Sequence, residues 1–385
     1  MLPPDPASVR ALLVRANNWI GDVVLASPAL HALRAHYAGA RISVLARPRV
    51  LAALEGSEDL DEIIVFDDRG RHRGLAGRLL LIAQLRRRRF DLAVLFQKAF
   101  EAAALAAAAG ARRRFGYATD RRGWLLTDPL AETDEIRSRH HAQVFLDLAA
   151  AAGAPAEDLA LRFPLDARDR ERARQELARA GIAETDPLVA VHPGASKTPR
   201  AWHPERFGQL AREAAKLVSG RVVVLGSAAD APLARIILDV SGALGVDLTG
   251  RTNVREMAAV CERSALFLGS DSGPMHVAAA VGTPVVAIFG PGRPEKTAPF
   301  VPPGRCSVLT RRFPCSPCRQ DFFKECEPAL SGKPYCLEEI PVAEALEAVR
   351  EMLARAEGGP AGAALPFSSL HVAQAAVVAD GSRDS

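Results

Sequence analysis

Long apolar runs are missing from this 385-residue chain. The two best candidates, residues 102–111 and 277–290, are short and interrupted by glycine, whereas a helix that spans a bilayer needs about 20 apolar residues. The opening Met1-Leu2-Pro3-Pro4-Asp5 also lacks the basic start and apolar middle of a secretion signal, so a cytoplasmic protein is expected. Aromatic residues make up only 5% of the chain, and no arginine run is interleaved with Phe or Tyr. Surfaces that stack bases need that interleaving, which argues against a nucleic-acid partner. The loops after the first strand of each half, Asn17-Asn18-Trp19-Ile20-Gly21 and His192-Pro193-Gly194, carry one glycine each. A dinucleotide-binding fingerprint requires three, so an NAD enzyme is not indicated and no cofactor is expected.

What is present is an ordinary globular composition, 49% hydrophobic and 24% charged, in a length that accommodates two domains. Charge is unevenly spread: residues 1–180 hold 28 Lys plus Arg against 23 Asp plus Glu, and the remainder 21 against 22. The N-terminal half therefore carries the positive surplus, with all-arginine clusters at 86–89 and 112–114. Such clusters suit a phosphate or an anionic membrane face; they also occur as solvated helix ends, where cations are favoured. Short Val-, Ile- and Leu-rich segments at 10–15, 42–45, 63–66 and 92–96 alternate with helical patterns at 22–37, 75–88, 99–109 and 140–152. This is the rhythm of an α/β protein with a parallel sheet. After a helix at 167–180 the scheme restarts at 188–191, continues through 204–218, 221–225, 246–248 and 254–261, and closes with a helix at 341–357. We place the boundary between Pro155 and Ala180, with domains at 1–165 and 166–357. Residues 358–385, rich in Ala, Gly and Ser without periodicity, read as a disordered tail.

Most of the recognisable chemistry lies in residues 265–297, ALFLGSDSGPMHVAAAVGTPVVAIFGPGRPEKT. Strands at 265–268 and 284–289 flank a helix introduced by Gly269-Ser270-Asp271-Ser272-Gly273 and Pro274. The amides of Gly273, Met275 and His276 should then point out of the helix N-terminus, where an anion can dock. That turn and the loop Gly290-Pro291-Gly292 fall beyond the carboxyl ends of the strands, the place where doubly wound sheets bind ligands. The plainer alternative makes Asp271 or Ser272 a helix cap and His276 a packed histidine. Asp22, after Gly21 at the start of a helix, is likewise either a cap or a carboxylate aimed at a ligand. Four of the six cysteines cluster as Cys315-x2-Cys318-x7-Cys326-x9-Cys336. Thiolates so spaced can close a tetrahedron around zinc, but the intervals do not match common zinc ribbons. Permanent disulfides do not suit a cytosolic chain.

The turn Asp271-Ser272-Gly273-x-x-His276 resembles the Asp-Thr/Ser-Gly-x-x-His signature of the ADP-heptose:lipopolysaccharide heptosyltransferases, glycosyltransferase family 9, and the heptosyltransferase II branch within it is most similar. The likeness runs through residues 11–353; it is strong in the second half and at 17–30, and loose at 48–127. It implies a GT-B fold, two Rossmann-like domains facing across a cleft. The implied activity is inverting, metal-independent transfer of heptose from ADP-heptose to a heptose of the lipopolysaccharide inner core, built on Kdo-lipid A. Asp22 is implied as the general base, since the family places its catalytic carboxylate in such a strand-loop-Gly-Asp-Val pattern. Asp271, Ser272, Gly273 and His276 are implied to hold the donor diphosphate. The segment from His192 to Pro204 is similar to the family's PGA…K-x-W-P, but Arg200 stands where a lysine is usual and His203 is inserted after Trp202. Either Lys197 or Arg200 can then reach the phosphates, Arg in bidentate fashion. Asp230 takes the place of a glutamate that meets the nucleotide ribose. No metal site is implied, and Asp59-Leu60-Asp61, the one Asp-x-Asp, lies far from the donor half. The expected setting is peripheral to the inner face of the inner membrane, on an anionic surface. The neighbouring readings are a heptosyltransferase of type I or III, a GT-B nucleotide-sugar epimerase, and a non-catalytic carbohydrate-binding relative.

Overall fold

Segments that are apolar at every position, not at alternate ones, must be covered on both faces, and parallel strands sandwiched by helices satisfy that demand. The computed structural model, which describes residues 3–316, 318, 320, 322–324 and 326–357, is built from two such sandwiches. The tail expected at 358–385 lies outside the described residues. The chain divides between Asp166 and Ala167. The first unit runs β1 (Ala11–Arg15), α1 (Ile20–Leu25), α2 (Ser27–His36), β2 (Arg41–Ala46), β3 (Glu62–Val65), α3 (Gly74–Arg86), β4 (Leu92–Leu95), α4 (Phe100–Ala108), β5 (Arg113–Tyr117), β6 (Asp128–Leu130), α5 (Asp134–Ser138) and α6 (His141–Ala151). The second runs α7 (Ala167–Arg179), β7 (Leu188–His192), α8 (Pro204–Leu217), β8 (Arg221–Val224), α9 (Ala231–Ser241), β9 (Gly245–Asp247), α10 (Val254–Glu262), β10 (Leu266–Ser270), α11 (Gly273–Ala280), β11 (Val285–Phe289), α12 (Pro294–Thr297), β12 (Cys306–Thr310), α13 (Tyr335–Glu338) and α14 (Val342–Glu357).

Each unit holds one six-stranded sheet, ordered β3-β2-β1-β4-β5-β6 and β12-β11-β10-β7-β8-β9. All neighbouring strands are parallel. Counted from its own first strand, each sheet has the doubly wound order 3-2-1-4-5-6, which reverses direction beside that first strand. The reversal leaves a crevice at the carboxyl ends of β1 and β4 in one unit and of β7 and β10 in the other. Burial anchors both frames. In the first unit Leu13, Phe66, Leu81, Leu85, Phe90 and Leu105 pack in one cluster. In the second, Trp202, Phe207, Leu210, Ile237, Leu337 and Met352 do so.

The helix expected at 22–37 is two helices. Pro28 has no N–H to give to the Val24 carbonyl, and the Ser27 hydroxyl donates to it instead at 2.7 Å, so the helix breaks at Ala26 and restarts. Strands β5, β6 and β12 and helices α5, α9, α12 and α13 were not expected. A full cavity at Phe207, which is completely buried and stacks edge-on against Trp202 with ring centroids 5.0 Å apart, should be costly. Phe207→Ala is expected to lower the stability of the second unit by about 3–5 kcal/mol in denaturant titration; a loss below about 1 kcal/mol would contradict this packing.

Candidate functional site

In the first unit the crevice is lined from both sides of the reversal. A cavity of about 340 Å³ is bounded by Asn17, Asn18, Trp19 and Asp22 after β1, by Phe96, Gln97 and Lys98 after β4, and by His141 and Phe145 of α6. Arg15, at the end of β1, is buried and ties this rim together. Its guanidinium donates to the carbonyls of Ala16 and Leu45 and, at 3.0 Å, to Oδ1 of Asn18. Burial, then repulsion from Arg47, lowers its pKa to about 10, with Glu101 and Asp68 opposing. Asp22 sits in the first turn of α1, whose N-cap is Trp19 with no side-chain cap. The N-cap role is therefore excluded for Asp22. Its oxygen lies 3.5 Å from Nδ1 of His141. Sequence reasoning missed His141 and Lys98, because only the fold carries the starts of α6 and α4 to the end of β1.

In the second unit the corresponding crevice joins the end of β7 to the end of β10, where His192 is in register with Gly269. Five of the expected residues lie here, Arg200, Asp271, Ser272, Gly273 at the first position of α11, and His276. Arg200 forms an ion pair with Asp271, which is almost fully buried. Burial raises the Asp271 pKa, and Arg200 counters that shift. Gly292 makes the approach possible, since a Cβ there would stand 2.2 Å from Oδ2 of Asp271. Ser272 is the N-cap of α11 but makes no capping hydrogen bond. Its hydroxyl donates to the Ser270 carbonyl at 3.1 Å and lies 3.5 Å from Nδ1 of His192. The first amides of α11 are thus left without a side-chain cap, as an anion site requires. His276, in the first turn, is buried. His192 is buried too, which lowers its pKa against the pull of Asp230, so a neutral imidazole faces this turn.

Asp230 and Lys197 are placed differently from Arg200. The Asp230 carboxylate closes a capping box, accepting from the Ser227 amide at 2.8 Å and the Ser227 hydroxyl at 2.7 Å. Its other oxygen faces Gly194, where a Cβ would come within 2.4 Å. Lys197 turns to the cysteine segment, donating to the Gln320 carbonyl at 3.4 Å with its ammonium 5.4 Å from the Phe322 ring centroid. Of the two cations, Arg200 is the one held in the crevice. Among the described residues Cys318, Cys326 and Cys336 of that segment are outside any disulfide. Burial and then the three companions Cys315, Cys326 and Cys318 push the Cys336 thiol up to about 12. Among the described residues no three Cys, His, Asp or Glu side chains are placed to hold a metal ion. Asp59 and Asp61 are engaged by His31 and Arg34.

Comparison with known proteins bears on the family and the fold. The profile of glycosyltransferase family 9 (heptosyltransferase) matches residues 78–326. Lipopolysaccharide heptosyltransferase 2 of Escherichia coli is 27% identical over 75% of this chain and 85% of its own. Lipooligosaccharide heptosyltransferase 2 of Haemophilus influenzae is 24% identical over 75% and 86%. Among solved structures, E. coli ADP-heptose LPS heptosyltransferase II superposes with a TM-score of 0.71 at 23% identity, covering 90% of this chain and 100% of that one. A family 9 glycosyltransferase from Veillonella parvula reaches 0.79 at 21% identity, covering 92% and 99%. The fold is thus the α/β GT-B type of these structures. The chain belongs to glycosyltransferase family 9, the heptosyltransferase family, and is a glycosyltransferase.

Proposed function

We propose that the protein transfers heptose from ADP-heptose to a heptose of the lipopolysaccharide inner core, as a heptosyltransferase of type II, with inversion at the anomeric carbon. The observation that carries this reading is the pairing of family membership with chemically matched crevices. One holds an uncapped carboxylate and the other holds a cation beside an open helix end. Asp22 takes the proton of the acceptor hydroxyl while that oxygen attacks the anomeric carbon. The bond from that carbon to the diphosphate oxygen breaks, and ADP leaves. Arg200 and the amides of Gly273, Met275 and His276 receive the charge that develops on the diphosphate, and Lys197 reaches it if the cysteine segment releases its ammonium. Asp271 acts through Arg200, since a carboxylate would repel the diphosphate directly. Asp230, through the oxygen that faces Gly194, accepts from a ribose hydroxyl.

An epimerase of similar architecture would release ADP without an acceptor, and the family match does not favour it. Among the described residues no helix is long and apolar enough to cross a membrane. We infer a cytoplasmic enzyme that works peripherally on the inner face of the inner membrane. The positive surplus of its first 180 residues is attracted there to the phosphorylated lipid acceptor.

Asp22→Asn is expected to lower kcat by about 100-fold or more with donor KM nearly unchanged, the loss typical of a missing general base; near wild-type turnover would remove Asp22 from that role. Because Arg200 is in the crevice and Lys197 is drawn aside, Arg200→Ala should raise the ADP-heptose KM and lower kcat together, by about tenfold or more in kcat/KM. Lys197→Ala should do less, and the reverse ranking in steady-state kinetics would exchange the two assignments. Side chains and helix amides serve the diphosphate in this reading, so activity should persist in excess EDTA. An enzyme that regains turnover only on addition of Mg²⁺ would contradict it.

A further inference from the structure

Residues 69–90 contain eight arginines and neither aspartate nor glutamate. The helix within them, α3, is apolar on two sides. Gly77, Leu81 and Leu85 are buried beneath it, whereas Leu75, Leu79 and Leu80 are exposed to 78%, 57% and 40%. Ala76 and Ala83 extend the same outward face, as the spacing of about 3.6 residues per turn requires. A leucine stripe left in water is unusual for a helix that needs only one apolar side to hold its place in the fold. Around it the charges sort by function. Arg78 and Arg88 are spent inward on Glu101 and Glu62. Arg71 and Arg73 before the helix and Arg87 and Arg89 after it are exposed, with no ion-pair partner among the described residues. The Arg78–Glu101 pair brings α3 beside the start of α4, where Phe100 meets Trp124 with ring centroids 6.4 Å apart. Trp124 is 76% exposed, an amphipathic ring of the kind that settles at a lipid headgroup layer.

We propose that the outer face of α3 is a membrane-docking surface, with Leu75, Leu79 and Leu80 entering the headgroup–acyl boundary of an anionic bilayer while Arg71, Arg73, Arg87 and Arg89 meet lipid phosphates. Apolar side chains ringed by arginine are the pattern of a helix lying in such an interface. A second copy of the chain does not suit this face, because joining two stripes would bring together two arginine-rich surfaces. The proposal rests on the membrane reading above only for the location of the acceptor, and adds to that reading an apolar contact that salt does not screen.

The test is co-sedimentation of the full chain with phosphatidylcholine vesicles, with and without phosphatidylglycerol, alongside turnover on a lipid-free heptose acceptor. Wild type is expected to bind the phosphatidylglycerol vesicles and to keep part of that binding at high salt. Leu75→Ser/Leu79→Ser/Leu80→Ser should weaken binding by about 100-fold while lipid-free turnover is retained. Leu75→Ser alone, at the most exposed position, should cost about tenfold and covers the case in which the triple variant misfolds. Arg71→Glu/Arg73→Glu/Arg87→Glu should remove the preference for phosphatidylglycerol. Undiminished vesicle binding by the leucine variants would overturn the proposal, as would a wild type that ignores vesicles and forms a dimer which those substitutions dissociate. Vesicle binding that depends on the leucines in a protein without turnover on any heptose acceptor would uphold the docking surface and remove the transferase reading.

Discussion

The arrangement of the second unit depends on a buried ion pair between Arg200 and Asp271. An isolated carboxylate in this position would be expensive, and its upward pKa shift by burial records that cost. The guanidinium offsets it, but only if the segment before α8 is fixed. Trp202 does the fixing: it is almost wholly buried against Phe207, and its amide donates to the Ser270 hydroxyl at 3.1 Å. The apolar core thereby sets the position of a polar group at the carboxyl end of β10. Gly292 completes the pair by leaving room for the carboxylate.

The same logic, with different parts, builds the first crevice. Arg15 closes β1 and spends its guanidinium on the carbonyls of the rim, so the loop that leads to α1 is held without a glycine-rich turn. Asp22 follows in the first turn of α1, free of capping duty. A parallel sheet that reverses beside its first strand leaves this spot open in both units; the first opening holds Asp22 with Lys98, and the second holds the Arg200–Asp271 pair. A carboxylate suits removal of a proton, and a guanidinium suits a diphosphate leaving group.

Both strands that bear the proposed donor residues were readable because they are continuously apolar and end in turn chemistry, as at Leu266–Ser270 and Leu188–His192. The strands that escaped notice show why others were not. Arg113–Tyr117 begins with two arginines whose side chains are spent on Asp128 and on the carbonyls of Leu125 and Ala111. Its partner β6, three residues long, contains Pro129, which propensity assigns to a turn. Only their pairing makes them strands, β5 between β4 and β6, and β6 along the edge beside β5. Among the candidate residues, the turn at Asp271, Ser272 and Gly273 before a helix was legible from local spacing, whereas their role came only from the resemblance. The pairing of Asp271 with Arg200, the turning aside of Lys197 and the approach of His141 to Asp22 join distant stretches, and no periodicity in the chain encodes them.

Charge shows the same limit in another form. The N-terminal surplus is a property of the sequence, but a surplus acts on a partner only through side chains that the fold leaves unspent. Of the clusters at 86–89 and 112–114, Arg88, Arg113 and Arg114 are committed to Glu62, Asp128 and backbone carbonyls, and Arg86 donates to the Ala108 carbonyl. Arg112 reaches Asp91 at 3.3 Å. The second cluster thus mainly fastens β5 to its surroundings, while Arg87 and Arg89 join Arg71 and Arg73 around the outward leucines of α3. Long-range attraction toward an anionic surface is set by net charge and fades within about 10 Å at 0.1 M salt. Orientation on arrival is a short-range matter, decided where unpaired charge and exposed apolar area coincide. Within the first unit both are found together on α3, so the helix that supplies Leu81 and Leu85 to the core also carries the surface proposed above to set that orientation.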